Sequence, residues 1–436
     1  MARQRKGEKH MTRMSRQWFA GVDWASSKHD VTLTDDSGKI VGRRIFPHSG
    51  DGLAQMADWL LRETGATPAD VHVAIETPHG PVVETLLERG FSVYSINPKQ
   101  LDRFRDRFTV AGAKDDRRDA DVLASSLRTD GKAFRALAPA DPAIVELREW
   151  SRMADQHGRD LRRYVSRLRE QLQRYFPAFL ALGGDDDAAW KLALLELAPT
   201  PAMAASLPRA KVARLLKAHR VRCHDADAVL AILRAPAPAV SEATIAAASA
   251  HAVALLKSIR LAAEQLKEAH AVLDRLTNAL AEPEESASGQ MVQRDAAILR
   301  SSPGMGRIIL ATLLTEAPQA VRERDYHALR CHAGVAPVTK QSGKRRYVVR
   351  RYACNRRLQN AVYHWARVAI QKDARSRAKY QTLRARGHSW ARALPGVADR
   401  LHPRTRPAGP EGRRHQAVAR HPSRPLIDFA VTRPCD

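Results

Sequence analysis

Five side chains in this 436-residue sequence have the types and placement for chemistry on phosphate esters. Asp23 interrupts the apolar run Trp18–Trp24 (WFAGVDW), and an acid inside such a run is costly unless it is paired or binds a cation. Glu76 directly follows a second apolar run, Val71–Ile75 (VHVAI). Asp116 and Asp119 stand three residues apart, which puts both on one face of a helix. Four carboxylates from two strands and one helix suit divalent cations such as Mg²⁺, which prefers oxygen ligands. Two such ions, about 3.5–4 Å apart, clamp the attacking and leaving oxygens of a phosphodiester. Singly, the acids have ordinary readings: Asp116 can cap a helix and Glu76 can open a loop. Asp23 is the hardest to explain that way. Asp115 falls outside the three-residue spacing, and Asp121 is expected to point away from the Asp116/Asp119 face.

The fifth residue is Ser342, in Lys340-Gln341-Ser342-Gly343-Lys344-Arg345-Arg346. A serine before glycine is expected in a turn, with its hydroxyl accessible. Cations around it would attract a phosphate and stabilise charge developing on it, which suits a nucleophile. From local sequence alone, an exposed turn serine in a basic loop is the commoner reading. Upstream, Pro303-Gly304-Met305-Gly306 separates two helical stretches. It reads as a helix-hairpin-helix-like turn whose amides can hold a phosphate, with a plain packing turn nearly as good a reading.

These residues need elements to position them. Trp18–Trp24, Asp30–Asp36 and Lys39–Phe46 alternate as three strands joined by tight turns. Helical spacing follows over Gly52–Glu63, then strand Val71–Ile75, helix Val82–Arg89, strand Phe91–Ile96, and helices Pro98–Phe108 and Asp116–Arg128. That order, β-β-β-α-β-α-β-α, is that of an RNase H-like α/β fold. Residues 143–176 and 252–280 read as long helices; Leu161, Val165, Leu168, Leu172 and Tyr175 step as a heptad seam. An antiparallel hairpin with a helical insertion, a dimerising coiled coil and an intramolecular bundle all fit. Asp185-Asp186-Asp187 reads as a helix N-terminus favoured by the macrodipole. Residues 296–386 read as a compact, mainly α unit. The expected division is a basic extension 1–17, an α/β domain 18–135, a helical coiled-coil region 136–290, a basic C-terminal domain 291–394, and a disordered or frameshifted tail 395–436.

Charge shows the partner. The chain carries 72 basic and 47 acidic residues, and the surplus is not spread evenly. Residues 1–130 hold 20 and 19, residues 131–295 hold 23 and 20, and residues 296–436 hold 29 and 8. A surplus confined to one third of the chain is the footprint of a polyanion, and the basic segments lack the amphipathic anchor of a membrane-surface protein. Lys340, Lys344, Arg345, Arg346, Arg350, Arg351, Arg356 and Arg357, with Gly304 and Gly306, are the candidate nucleic-acid contacts. Four scattered cysteines without a Cys-x-x-Cys pair suggest neither a disulfide framework nor a zinc site, and fit a reducing cytoplasm. The basic N-terminus has no apolar core, so it is not read as a signal peptide. No run of about 18 apolar residues stands out, and no membrane span is expected.

Taken together, GVDWASSKHDVTL, VAIETPHG, AKDDRRDADVLA, SSPGMG, GVAPVTKQSGKRR and CNRRLQNAVYHWA strongly resemble the DEDD-type insertion-sequence transposases that carry an additional serine and are guided by a structured bridge RNA. The resemblance runs over about residues 18–394, in order and spacing. It implies a RuvC-like metal-binding domain in which Asp23, Glu76, Asp116 and Asp119 are the DEDD set. It implies that Ser342 attacks a DNA phosphate to form a covalent phosphoserine. It further implies contacts to DNA and guide RNA, and a dimer or tetramer in which serine and carboxylates of one active site come from different subunits. A bacterial, nucleoid-associated protein is expected. Two other readings stay open: a Holliday-junction-type nuclease using carboxylates alone, and a non-enzymatic nucleic-acid-binding scaffold with a relic metal site. The charge distribution predicts that affinity for nucleic acid falls steeply as salt rises, because each phosphate contact releases counterions. Equal binding of a DNA duplex at low and high salt would contradict it.

Overall fold

The computed structural model describes residues 17–107, 116–139, 141–285, 291–292, 294–343 and 345–401. The chain divides into two compact units at Asp141/Pro142.

The first unit is built on a mixed sheet. Its strands are β1 (Trp18–Trp24), β2 (Lys28–Thr34), β3 (Ile40–Pro47), β4 (Val71–Ile75), β5 (Ser92–Ser95) and β6 (Arg135–Ala136), in the order β3-β2-β1-β4-β5-β6. β2 pairs antiparallel with both β1 and β3, and β4 runs parallel to both β1 and β5. The helices are α1 (Gly50–Thr64), α2 (Pro81–Glu88), α3 (Pro98–Arg105) and α4 (Asp116–Asp130). Every strand and helix expected between residues 18 and 130 is present, with ends shifted by a few residues; the two-residue β6 is an addition.

Alternation along β1 sorts its side chains to two faces. Trp18, Ala20 and Val22 join a core with Leu53, Met56, Trp59 and Leu60 of α1 and Val82, Val83 and Leu86 of α2. A second core lines up Ala74 of β4, Leu101 of α3 and Val122, Leu123 and Leu127 of α4. Gly21 is where α4 crosses the sheet: a Cβ there would stand 2.0 Å from the Ala120 carbonyl oxygen and 2.6 Å from the Ala124 nitrogen. Only a residue without a side chain admits this approach, and it fixes which part of α4 lies over β1.

In the second unit, α5 (Pro142–Tyr175) and α11 (Glu242–Ala279) form an antiparallel hairpin. Leu147 and Ala154 share one hydrophobic cluster with Ala269 and Leu273, while Leu168, Leu172 and Tyr175 share another with Ala252, Leu255, Leu256 and Ile259. Of the arrangements open from sequence, this is the hairpin with a helical insertion. Five short helices fill the insertion: α6 (Pro177–Leu180), α7 (Ala189–Leu197), α8 (Pro201–Ala205), α9 (Arg209–Ala218) and α10 (Ala226–Leu233). Asp186 does more than precede a helix. It accepts from the fully buried Lys191 ammonium at 2.7 Å and from Arg169 at 3.1 Å. α11 departs from the expectation about apolar runs, since one 18-residue window of it reaches a mean hydropathy of 1.3. Alanine supplies much of that value, and Leu255, Leu256 and Ile259 are buried within the hairpin core.

The remainder is mainly helical. A two-stranded bridge, β7 (Glu284–Glu285) and β8 (Met291–Val292), leads to α12 (Asp295–Arg300), α13 (Arg307–Glu316), α14 (Pro318–Arg322) and α15 (Tyr326–His332). A β-hairpin of β9 (Val338–Ser342) and β10 (Arg345–Val349) follows, then α16 (Arg356–Lys372), α17 (Ala374–Ala385) and α18 (Trp390–Leu401). Leu147 of α5 and Leu273 of α11 belong to the same cluster as Leu310, Trp365 and Val397, so the base of the long hairpin and these helices share one core. α18 continues through Pro395 to Leu401, with Val397 and Ala398 buried, past the boundary expected at 394. The tail from residue 402 lies outside the described residues.

The Gly21 crossing gives a direct test. Gly21→Ala forces α4 off β1 and should destabilise the first unit by about 1–3 kcal/mol, the usual cost of overpacking a close-packed interior. Chemical denaturation of the variant measures it; an unchanged midpoint would mean that the crossing is not tight.

Candidate active site and nucleic-acid surface

Register brings the strand acids together. Val22 of β1 lies opposite Ile75 of the parallel β4, the last pair of that register, so Asp23 and Glu76 follow it at the same end of the sheet. Asp23 shares its face of β1 with Gly21, the face that α4 covers. α4 carries Asp119, 3% exposed, beside Ala120, whose carbonyl abuts Gly21. Asp116 opens the same helix; its side chain lies outside the described residues.

The cation that meets Asp119 is one that nothing in the local sequence marks. Arg105, the last residue of α3, donates from Nε to Asp119 Oδ1 at 2.6 Å and from Nη2 to Asp119 Oδ2 at 2.7 Å. Its Nη1 bonds Asp102. Burial pulls the Arg105 pKa down, but the Asp119 hydrogen bonds and the charges of Asp119, Asp102 and Glu76 outweigh it and raise the pKa overall. Glu76 is therefore within electrostatic reach of the same guanidinium. Asp30 is a second residue that sequence reasoning missed. It stands directly across from Asp23, is 5% exposed and pairs with Lys28 at 3.4 Å. Alternation in DVTLTDD was legible, but not that Asp30 would face Asp23.

Among the described residues, no three His, Cys, Asp or Glu side chains form a ready metal cage. The donor chemistry nonetheless fits a hard divalent ion. All the candidates are carboxylates, and a positive group already sits against Asp119 within reach of Glu76. Asp121 does point elsewhere. It accepts from Thr32 Oγ1 at 2.7 Å and from Arg43 Nε and Nη2 at 2.9 and 2.7 Å, over β2 and β3. The Asp121 hydrogen bond is the main cause that raises the Arg43 pKa.

Ser342 is the last residue of β9, exposed, paired with Arg345 and directly before the turn residue Gly343. Gly343 has φ +54°, a left-handed value that glycine adopts freely, as such turns require. Val338–Ser342 and Arg345–Val349 carry the signal that would have found the hairpin, β-branched and aromatic residues around a turn glycine. Cross-strand pairing puts Lys340 opposite Tyr347 and Gln341 opposite Arg346. Alternate pairs share a face, so Ser342, Arg345, Lys340 and Tyr347 stand on one side of the ribbon. All four are exposed. Lys344 lies outside the described residues.

The other candidate contacts are placed less uniformly. Arg350 lies over the rings of Tyr352 and Tyr363 and, like Arg356, donates to Gln359. Arg351 donates to the Ala336 carbonyl. Arg357 is drawn inward: it bonds Asp155 and Ser151 of α5 at 2.8 and 3.0 Å and Glu316 of α13 at 2.5 Å. Gly304, at φ +79°, packs against the backbone of α16, where a Cβ would lie 3.0 Å from the Ala369 nitrogen. The buried Trp365 donates to the Pro303 carbonyl at 2.9 Å. Gly306 is the N-cap of α13. Cys223, Cys331 and Cys354 are free thiols.

Comparison with known proteins bears on both regions. Residues 20–177, which contain all four acids, match the DEDD transposase family model of IS110, and residues 296–381, which contain Ser342, match the transposase family model of IS116/IS110/IS902. A Sinorhizobium fredii protein named as a transposase is 58% identical over 212 residues, 48% of this chain and 59% of that protein. A Streptomyces coelicolor protein named for the mini-circle transposase of IS117 is 33% identical over 395 residues, 88% of this chain and 91% of its own length. An IS116 insertion-element protein of Streptomyces clavuligerus is 26% identical over 401 residues, 89% of this chain and 93% of its own. The chain belongs to the IS110/IS116/IS902 family of transposases.

Proposed function

We propose that this transposase cuts and rejoins DNA at the ends and target of its own insertion sequence, using the carboxylates of the first unit and Ser342 of the second. The observation that carries this reading is the buried Asp119, paired to Arg105 on the helix that crosses β1 at Gly21, at the sheet end that Asp23 and Glu76 share. The strand order β3-β2-β1-β4-β5, with β1 central and antiparallel to β2, supports an RNase H-like assignment, in which the first acid lies on the first central strand.

Asp23, Glu76, Asp116 and Asp119 would hold Mg²⁺, and the metal when bound would polarise the phosphodiester and ease deprotonation of an attacking hydroxyl. The residues of the chain do the rest. Arg345 and Lys340 share the Ser342 face of the hairpin and hold the phosphate by charge. Ser342 Oγ gives up its proton and bonds to phosphorus, while the bond from phosphorus to the leaving sugar oxygen breaks and that oxygen takes up a proton. One phosphate ester replaces another, so a hydroxyl on a second DNA strand can reverse the step and join there. Serine and carboxylates of one reaction are supplied by different subunits of an oligomer, and a structured RNA selects the DNA.

Two outcomes check the reading. Asp23→Ala or Glu76→Ala should lower metal-dependent strand cleavage by more than roughly a hundredfold, as removal of one transition-state-stabilising group does. Asp121→Ala, away from the site, should cost far less. Wild type should trap a protein–DNA adduct that survives denaturation. Ser342→Ala should lose that adduct while keeping DNA binding and fold. Cleavage by wild type with free ends only would instead favour hydrolysis by the carboxylates alone.

A further inference from the structure

Arg105 holds both oxygens of Asp119 at once, in the two-pronged geometry that makes guanidinium–carboxylate pairs strong. Asp119 is buried, and the Arg105 side chain is itself only 26% exposed. A metal ion ligated by Asp119 would therefore stand within a few ångströms of a fixed positive charge, and two cations that close repel strongly. Arg105 also has somewhere else to go. A guanidinium fork matches a phosphate as well as it matches a carboxylate.

We propose that Arg105 is a positioning residue that exchanges between Asp119 and the phosphate of bound DNA, so that DNA and divalent metal each favour the binding of the other. Without DNA, Arg105 keeps the carboxylates neutralised and competes with metal for Asp119. With DNA, a backbone phosphate draws the guanidinium away and frees the oxygens. Coupling of this kind is reciprocal: DNA raises metal affinity by the factor by which metal raises DNA affinity. The inference rests on the reading of Asp119 as a metal ligand.

The experiment titrates the full-length protein with Mn²⁺, with and without a saturating DNA duplex, and reads metal affinity by calorimetry. In wild type the duplex should tighten Mn²⁺ binding by at least about fivefold, the low end of ordinary site coupling. Arg105→Gln should bind Mn²⁺ roughly tenfold more tightly than wild type without DNA, since a charge-assisted pair no longer competes. In that variant the duplex should add little. Arg105→Lys keeps the charge but not the fork, and should fall between the two; it carries the test if Arg105→Gln does not fold. Unchanged or weaker Mn²⁺ binding by both variants without DNA would overturn the proposal. Asp119→Asn separates the two layers. It should weaken Mn²⁺ binding, and wild-type affinity in that variant would remove the metal reading itself, whatever Arg105 does.

Discussion

Buried acids that need cations set the terms for the first unit. Asp23, Asp30 and Glu76 lie at one end of one sheet and Asp119 on the helix across it, and an acid drawn out of water is costly unless a cation offsets it. Arg105 and Lys28 supply that offset from α3 and β2. The geometry that concentrates the acids is fixed by steric contact rather than by charge: Gly21 lets α4 press onto β1, and parallel pairing of β1 with β4 sets Asp23 beside Glu76. The apolar cores on both faces of the sheet hold that arrangement in place.

The basic third of the chain divides its arginines between two uses. Arg357, Arg330 and Arg307 turn inward or along the surface to Asp155 and Glu316, to Asp399, and to Asp274. These pairs tie the C-terminal helices to each other and to the long hairpin. Lys340, Arg345 and Arg346 stand exposed on the ribbon. Net charge alone does not separate the two groups. The presence of Glu316 and Asp155 within reach of Arg357 does, and the contact with Asp155 spans 202 positions in the chain.

Much of the first unit was legible because its signals are local. Alternation marked β1 to β3, the apolar run marked β4, and helical spacing marked α1 and α4. Arg105 was not legible, because its partner Asp119 is 14 residues away across the α3–α4 connection and nothing in PKQLDRFR marks one arginine above the others. Around Ser342 the many cations mask the β-branched alternation of the ribbon, so local sequence points to a basic loop there. Gly304 shows a different limit. Its sequence pattern fits a phosphate-holding turn and, nearly as well, a packing turn, and here its neighbours are the backbone and side chains of α16.

The long hairpin of the second unit has a mechanical consequence. Its two hydrophobic clusters sit at opposite ends of the same pair of helices: one joins the C-terminal helices and the other joins the insertion. At 1.5 Å per residue, the 34 residues of α5 reach about 50 Å. An arm of that length, stiffened by packing along its seam, converts a tilt of about 5° at the base into a displacement of roughly 4 Å at the tip. Whatever touches the insertion is thereby levered against the helices that carry the ribbon.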